Sequence, residues 1–257
     1  MSGSAHTSDA RGAAWPATEA EARAVQEQLR PRVELADRAP APGTPGTVLA
    51  GVDVAYDDTH DVVAAAAVAL DGGTHEVVAR ATAYARVPFP YVPGLLAFRE
   101  LPAVLDALER LGRVPDLVVC DGYGLAHPRR FGLASHLGVL TGLATVGVAK
   151  TPFVFRHGPV GAARGDSAPL LDGTEEVGRA LRTREGVRPV FVSVGHRVSL
   201  DSACAHTLSL ARRYRLPETT RRADALCREA LREAATRQTG ESRSPGEEGR
   251  AAATGRP

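Results

Sequence analysis

Two aspartates stand where the surrounding pattern calls for apolar side chains. Asp53 lies in "GVDVAYDD" and Asp121 closes "LVVCD", each near the end of a run that reads as a strand. Taking a lone carboxylate out of water costs several kcal/mol unless something pairs it. Two such acids in contact cannot both ionise without a cation. Hard oxygen ligands, with no cysteine spacing or set of histidines to compete, favour Mg²⁺ over Zn²⁺. Glu100 sits one residue before Leu101 and four before Val104, on the edge of a helix's buried face. Asp224 precedes Leu226 at a similar margin, with Arg228 available as an ordinary i,i+4 partner. Each acid alone reads equally well as a turn residue or a solvated charge. Four of them, on two strands and two helices, form a pattern that none carries singly.

A second unusual stretch is "VPFPYVPGLLAFRE", residues 87–100. Pro88, Pro90 and Pro93 fix φ, remove backbone donors and push their predecessors toward extended conformations. The segment is therefore expected to be a stiff, exposed loop carrying Phe89 and Tyr91, and loops with aromatics commonly touch a partner.

The elements that must position these residues follow from periodicity. Thr18 to Leu29 reads as a helix, with Thr18 as N-cap and Glu21 completing a capping box. After the linker "APAPGTPG", the segments "TVLAGVDVAYD", "DVVAAAAVALD" and "HEVVARATAYARV" read as three sequential antiparallel strands, the last two joined at "DGG". Leu95 to Leu111 has helical spacing, and "DLVVCD" is a continuous apolar strand. A glycine-rich loop then leads to a helix near Ala134 to Leu143 and to the strands "ATVGVAK" and "PVFVSVG". Helices over Ser199–Tyr214 and Pro217–Ala235 complete the chain. The expected class is one α/β domain over 18–236. It has a mixed sheet of three antiparallel strands followed by parallel strands, flanked by helices. Residues 1–17 and 237–257 are polar, lack periodicity and are expected to be disordered.

Composition narrows the class without deciding it. The chain has 257 residues, 44% hydrophobic, enough for one sizeable core, and a net charge of +1 that leaves a basic surface possible but unannounced. Cys120, Cys204 and Cys227 lack metal-ligand spacing and fit reduced thiols in a cytoplasmic protein. Nothing resembles an export signal or a membrane span.

The β-β-β-α-β-α-β order, with acids at those places, is similar to the ribonuclease H-like fold. The strings "GVDVAY", "PFPYVPGLLAFRE", "DGYGLAHPRRFGLASHLGV", "VGVAKT" and "SVGHRVSLDSA", in that order, resemble the endonuclease V family from about Thr18 to about Ala235. That resemblance implies a Mg²⁺-dependent repair endonuclease, with Mn²⁺ able to substitute. The implied enzyme recognises deoxyinosine in DNA and hydrolyses the second phosphodiester on its 3′ side, leaving a 3′-hydroxyl and a 5′-phosphate. It further implies Asp53, Glu100 and Asp121 as metal ligands, with Asp224 at a position that varies between Asp and His across the family. His127 and Lys150 match the family's active-site histidine and lysine. Tyr91, flanked by Pro90 and Pro93, matches its wedge into the base stack. Gly94, Leu96, Gly132 and Leu133 correspond to the base pocket, the two glycines leaving room for a purine and the backbone near the leucines reading hypoxanthine. Arg129, Arg130, Arg212, Arg213, Arg221 and Arg222 are candidate phosphate contacts. Tyr123 departs from the smaller or polar residue common at its place. A monomer is expected, without membrane partners.

The alternatives are an endoribonuclease specific for inosine in RNA and a non-catalytic nucleic-acid-binding module on the same fold. A nucleotide-binding enzyme using "DGYG" as its phosphate loop lacks both G-x-G-x-x-G and G-x-x-x-x-G-K-[ST]. A zinc deaminase lacks P-C-x-x-C.

Overall fold

The computed structural model describes residues 15–241. Nine strands form one sheet in the order β3-β2-β1-β4-β5-β9-β8-β7-β6. β1 (Val48–Asp57), β2 (Val62–Asp71) and β3 (Val77–Arg86) are the expected antiparallel meander. β4 (Leu117–Cys120) and β5 (Thr145–Ala149) then continue parallel to β1. Beyond them β9 (Val190–His196) runs antiparallel to β5. A further antiparallel set, β6 (Arg156–His157), β7 (Ser167–Asp172) and β8 (Glu175–Leu181), extends that edge. Those three strands are absent from the sequence reading.

The helices cover both faces of the sheet. α2 (Leu96–Arg110) and α3 (Leu133–Thr141) close one face over Ala50, Val52, Ala65, Ala67, Val118 and Cys120. α4 (Leu200–Leu210) and α5 (Glu218–Glu241) close the other over Leu49, Val68, Leu117, Val119 and Val192. All three cysteines are free and buried. Among the described residues no helix is long and apolar enough to cross a membrane.

α1 (Glu19–Leu29) carries the capping box expected of Thr18 and Glu21. It packs through Ala22 with Phe89, Leu95 and Phe98, a cluster that Trp15 borders. Pro102 lies inside α2 and cannot donate to the carbonyl of Phe98 four residues earlier; the indole of Trp15 does so instead, at 2.8 Å. The termini expected to be disordered lie mostly outside the described residues. Where they are described, Trp15 is packed and α5 continues past Ala235 to Glu241. α4 ends at Leu210, earlier than the expected Tyr214, and 211–217 form the turn into α5.

Candidate active site

Register places the two aspartates side by side. Val52 of β1 pairs with Cys120 of the parallel β4, so the next residues, Asp53 and Asp121, are neighbours. Asp53 is not at the end of its strand, because β1 continues to Asp57 against β2; it marks the point where β1 loses β4 as a partner. Burial and then the charge of Asp121 push the Asp53 carboxyl up to about 7, although it accepts the Val54 amide at 2.8 Å. Asp121 is bonded by the ammonium of Lys150, which stands just beyond β5. Burial is the largest influence and disfavours the Lys150 charge, but the bond to Asp121 and the charges of Asp121, Asp53 and Asp224 together outweigh it and raise the lysine's pKa.

Glu100 enters from α2, 8% exposed, and accepts a hydrogen bond from Tyr56 Oη at 3.0 Å. Burial pushes its carboxyl up to about 8 against the Tyr56 bond, with Asp53 and Asp121 adding to the rise. Asp224, on α5, pairs with Arg228 at 2.8 Å and contributes to the fields at both Asp53 and Lys150. Among the described residues no three acids, histidines or cysteines are already gathered as a metal cluster. The donor set nevertheless fits a hard divalent cation. The carboxyls feel one another's charge, and burial pushes Asp53 and Glu100 up to about 7 and about 8, a penalty that a cation beside them would offset.

Next to the acids lies a cavity of about 270 Å³, at the small end of ligand pockets, which run ~300–1,000 Å³. Its walls include Tyr91, Pro93, Gly94, Leu96, Ala97, Gly122, Tyr123, His127, Gly132, Leu133 and Phe153. Gly122 directly follows Asp121 and ties the cavity to the acids. All four residues expected around the base are here, and the two glycines also meet a packing need. A Cβ at Gly132 would lie 2.3 Å from the Tyr123 carbonyl oxygen, so its absence admits backbone. Gly94 has φ +82°, and a Cβ there would sit 2.9 Å from Arg129 Nη2.

The proline-rich loop splits its aromatics: Phe89 is 3% exposed and caps the α1–α2 cluster, whereas Tyr91 is 69% exposed at the cavity rim. Pro93 also lines the cavity, while Pro90 does not appear in its wall. His127 belongs to the cavity rather than to the acids. Its Nδ1 accepts the Arg129 amide at 3.1 Å, so Nε2 carries the proton and donates to the Gly94 carbonyl at 3.0 Å. Burial, then the charge of Arg129, push this imidazole down to about 4.

Several expected phosphate contacts are otherwise engaged. Arg129 donates to Gly94 and Gln26, Arg130 pairs with Asp172 and Glu175, and Arg221 and Arg222 share Glu218. Arg212 and Arg213 remain, exposed and without an acid partner among the described residues. The sequence reading missed Gln26, Tyr56 and Phe153. Gln26 had a signal, since it falls on the stripe of Ala22, Val25 and Leu29 where helical periodicity requires an apolar side chain.

The family model for endonuclease V matches residues 27–225. The chain belongs to the endonuclease V family. It is 72% identical over 225 residues to the endonuclease V of Streptomyces coelicolor, covering 88% of this chain and 96% of that one. The crystal structure of endonuclease V from Streptomyces avermitilis superposes with a TM-score of 0.83 at 69% identity, over 86% of this chain and 96% of that one. Endonuclease V of Ciona intestinalis, solved in complex with a 24mer DNA containing an inosine followed by a ribo-adenosine, superposes with a TM-score of 0.73. It is 27% identical and covers 84% of this chain and 98% of its own. Membership in this nuclease family agrees with the resemblance read from the motifs.

Proposed function

We propose that this chain is a Mg²⁺-dependent endonuclease that recognises deoxyinosine in DNA and hydrolyses the second phosphodiester on its 3′ side. The observation that carries the reading is the cavity of about 270 Å³ lined by two uncapped helix starts and by Gly122 and Thr151, the residues that follow Asp121 and Lys150. Neither Leu95 nor Gly132, the residues preceding α2 and α3, makes a side-chain cap. First-turn amides such as those of Leu96 and Leu133 are thus left for a ligand. Hypoxanthine presents an oxygen acceptor at position 6, where adenine presents an amino donor, so amide donors favour the former. The exposed ring of Tyr91, on its proline-stiffened loop, would occupy the gap left in the stack when the base swings out.

Asp53, Asp121 and Glu100 would hold the cation, which supplies Lewis acidity at the phosphate and stabilises the leaving 3′ oxygen. Lys150 would place its ammonium beside the non-bridging oxygens, moving from Asp121 as that carboxylate takes up its ligand role. Water adds to phosphorus and the P–O3′ bond breaks, giving a 3′-hydroxyl and a 5′-phosphate. Base reading and phosphate cutting use different elements, so the cut linkage need not be the one attached to the trapped nucleotide. The offset of one further phosphodiester rests on family membership.

An end-labelled duplex with a single inosine, incubated with Mg²⁺ and run against a sequence ladder, tests this. The expected product is one break at the second phosphodiester 3′ to inosine, with the base still attached to the 5′ fragment. A break on the 5′ side, an abasic product or equal cutting of an inosine-free duplex would overturn it. A second reading, cleavage at inosine in RNA, draws on the ribo-adenosine that follows inosine in the Ciona complexes. Matched DNA and RNA strands in the same experiment decide between them.

A further inference from the structure

Gln26 is a polar side chain on the buried stripe of α1, 1% exposed, one residue before the segment matched by the family model. Both of its amide donors and its oxygen are engaged. Nε2 donates to the carbonyl of Gly94 at 3.0 Å and to that of Phe131 at 3.0 Å, while Oε1 accepts from Arg129 Nε. Three partners of fixed polarity leave only one orientation for the amide. The Gly94 carbonyl receives two more donors, His127 Nε2 at 3.0 Å and Arg129 Nη2 at 2.7 Å. An oxygen with three donors on it is committed to the protein and is turned toward them.

The geometry of these bonds bears on the base. Gly94 lies two residues before Leu96, and Phe131 lies two before Leu133. Gln26 therefore holds together the two backbone segments that lead into the uncapped starts of α2 and α3, both of which contribute to the cavity wall. Arg129 and His127, on the loop that leads into α3, also bond to the Gly94 carbonyl; Gln26 adds the bond to the Phe131 carbonyl, nearer the helix start, and fixes the Arg129 guanidinium through its Nε. We infer that Gln26 is a positioning residue for specificity: it sets the spacing of the Leu96 and Leu133 amides, and through them the preference for a base with an oxygen at position 6. This role rests on the proposed reading of the cavity as the base site. Gln26 contributes to the cavity wall, but its amide is bonded to protein groups and none of its bonds reaches the acids, so its removal should loosen recognition and leave the cutting step alone.

Two variants separate the parts. Gln26→Leu removes all three bonds at nearly the same volume. Gln26→Glu keeps an acceptor for Arg129 and sets a second oxygen against the two carbonyls. Binding of single-stranded oligonucleotides with one inosine or with adenine in its place would be followed by fluorescence anisotropy, alongside single-turnover cleavage at saturating enzyme. For both variants the inosine strand is expected to bind about tenfold more weakly while the adenine strand changes less than about twofold. The saturated cleavage rate should stay within about threefold of the natural protein's. Equal losses on both strands, or a loss of rate without loss of preference, would make Gln26 a merely structural residue and overturn the inference. If Gln26→Leu does not fold, Gln26→Glu carries the same comparison. A natural protein with no inosine preference would overturn the parent reading together with this role; a preference that both variants keep overturns the role alone.

Discussion

The cavity and the acid cluster are built on opposite plans. The cavity is finished by the protein itself: glycines at close approaches, carbonyls saturated by Gln26, His127 and Arg129, and helix starts held at fixed spacing. The acid cluster is unfinished. Asp121 leans on Lys150, Glu100 on Tyr56, and the Asp53 carboxyl is pushed up because nothing positive outweighs burial and its neighbour. One region has its polar groups bonded within the protein, and the other holds carboxyls whose charge burial disfavours. A specificity pocket gains from rigidity before binding, whereas buried acids kept for a cation stay under electrostatic tension until it arrives.

The largest effect should come from the unfinished side. Asp53→Asn and Asp121→Asn should each lower cleavage by about 1,000-fold or more, at least ~4 kcal/mol of transition-state stabilisation, with the fold intact by circular dichroism. Near-normal turnover of either variant with Mg²⁺ would remove that residue from the metal site.

The tension itself can be measured as stability. Asp53 and Glu100 have folded pKa values of about 7 and about 8, above the ~4 of unfolded carboxyls. Between those limits the folded protein binds more protons than the unfolded chain. Without metal, stability should therefore fall as pH rises from ~4 to ~8, by several kcal/mol. Saturating Mg²⁺ should flatten that slope, and Asp53→Asn should reduce it. Melting curves with chelator and with Mg²⁺ across this range check both; a slope indifferent to metal would mean that the cation binds elsewhere.

On the finished side, Gly94→Ala forces a side chain into the left-handed region and against Arg129. The conformational part alone costs about 1–2 kcal/mol, and inosine affinity should drop while the saturated cleavage rate holds. Unchanged affinity would show that the Gly94 peptide does not shape the pocket. The smallest effect is expected at Tyr91. Tyr91→Ala should weaken cleavage of duplex substrate a few-fold more than of single strands, because only a duplex has a stack to open. Equal losses on both would reject the wedge.

How far the sequence alone reveals this molecule differs along the chain in a similar way. The meander and the aspartates are legible because strand alternation makes a buried carboxylate conspicuous, and parallel pairing of adjacent runs then forces Asp53 next to Asp121. β6–β8 are not, because β7 contains Pro169 and β6 is only two residues long. Pro169 is tolerated because β6 reaches only Leu170 and Leu171, leaving that stretch of β7 paired on one side. Phe89 and Tyr91 each directly follow a proline, and only the packing of α1 against the loop decides that one is core and the other exposed. The functions of Gly94 and Gly132 are hidden for the same reason, since the atoms that exclude a Cβ belong to residues distant in sequence.

The separation of base reading from phosphate cutting is the central claim, and the most direct measurement is the affinity of Asp121→Asn for matched single strands carrying inosine or adenine. The ratio of the two dissociation constants should equal that of the natural protein within about twofold, although cleavage is lost. A ratio that collapses toward one would show that the acids help to read the base, and would contradict the division between the two regions.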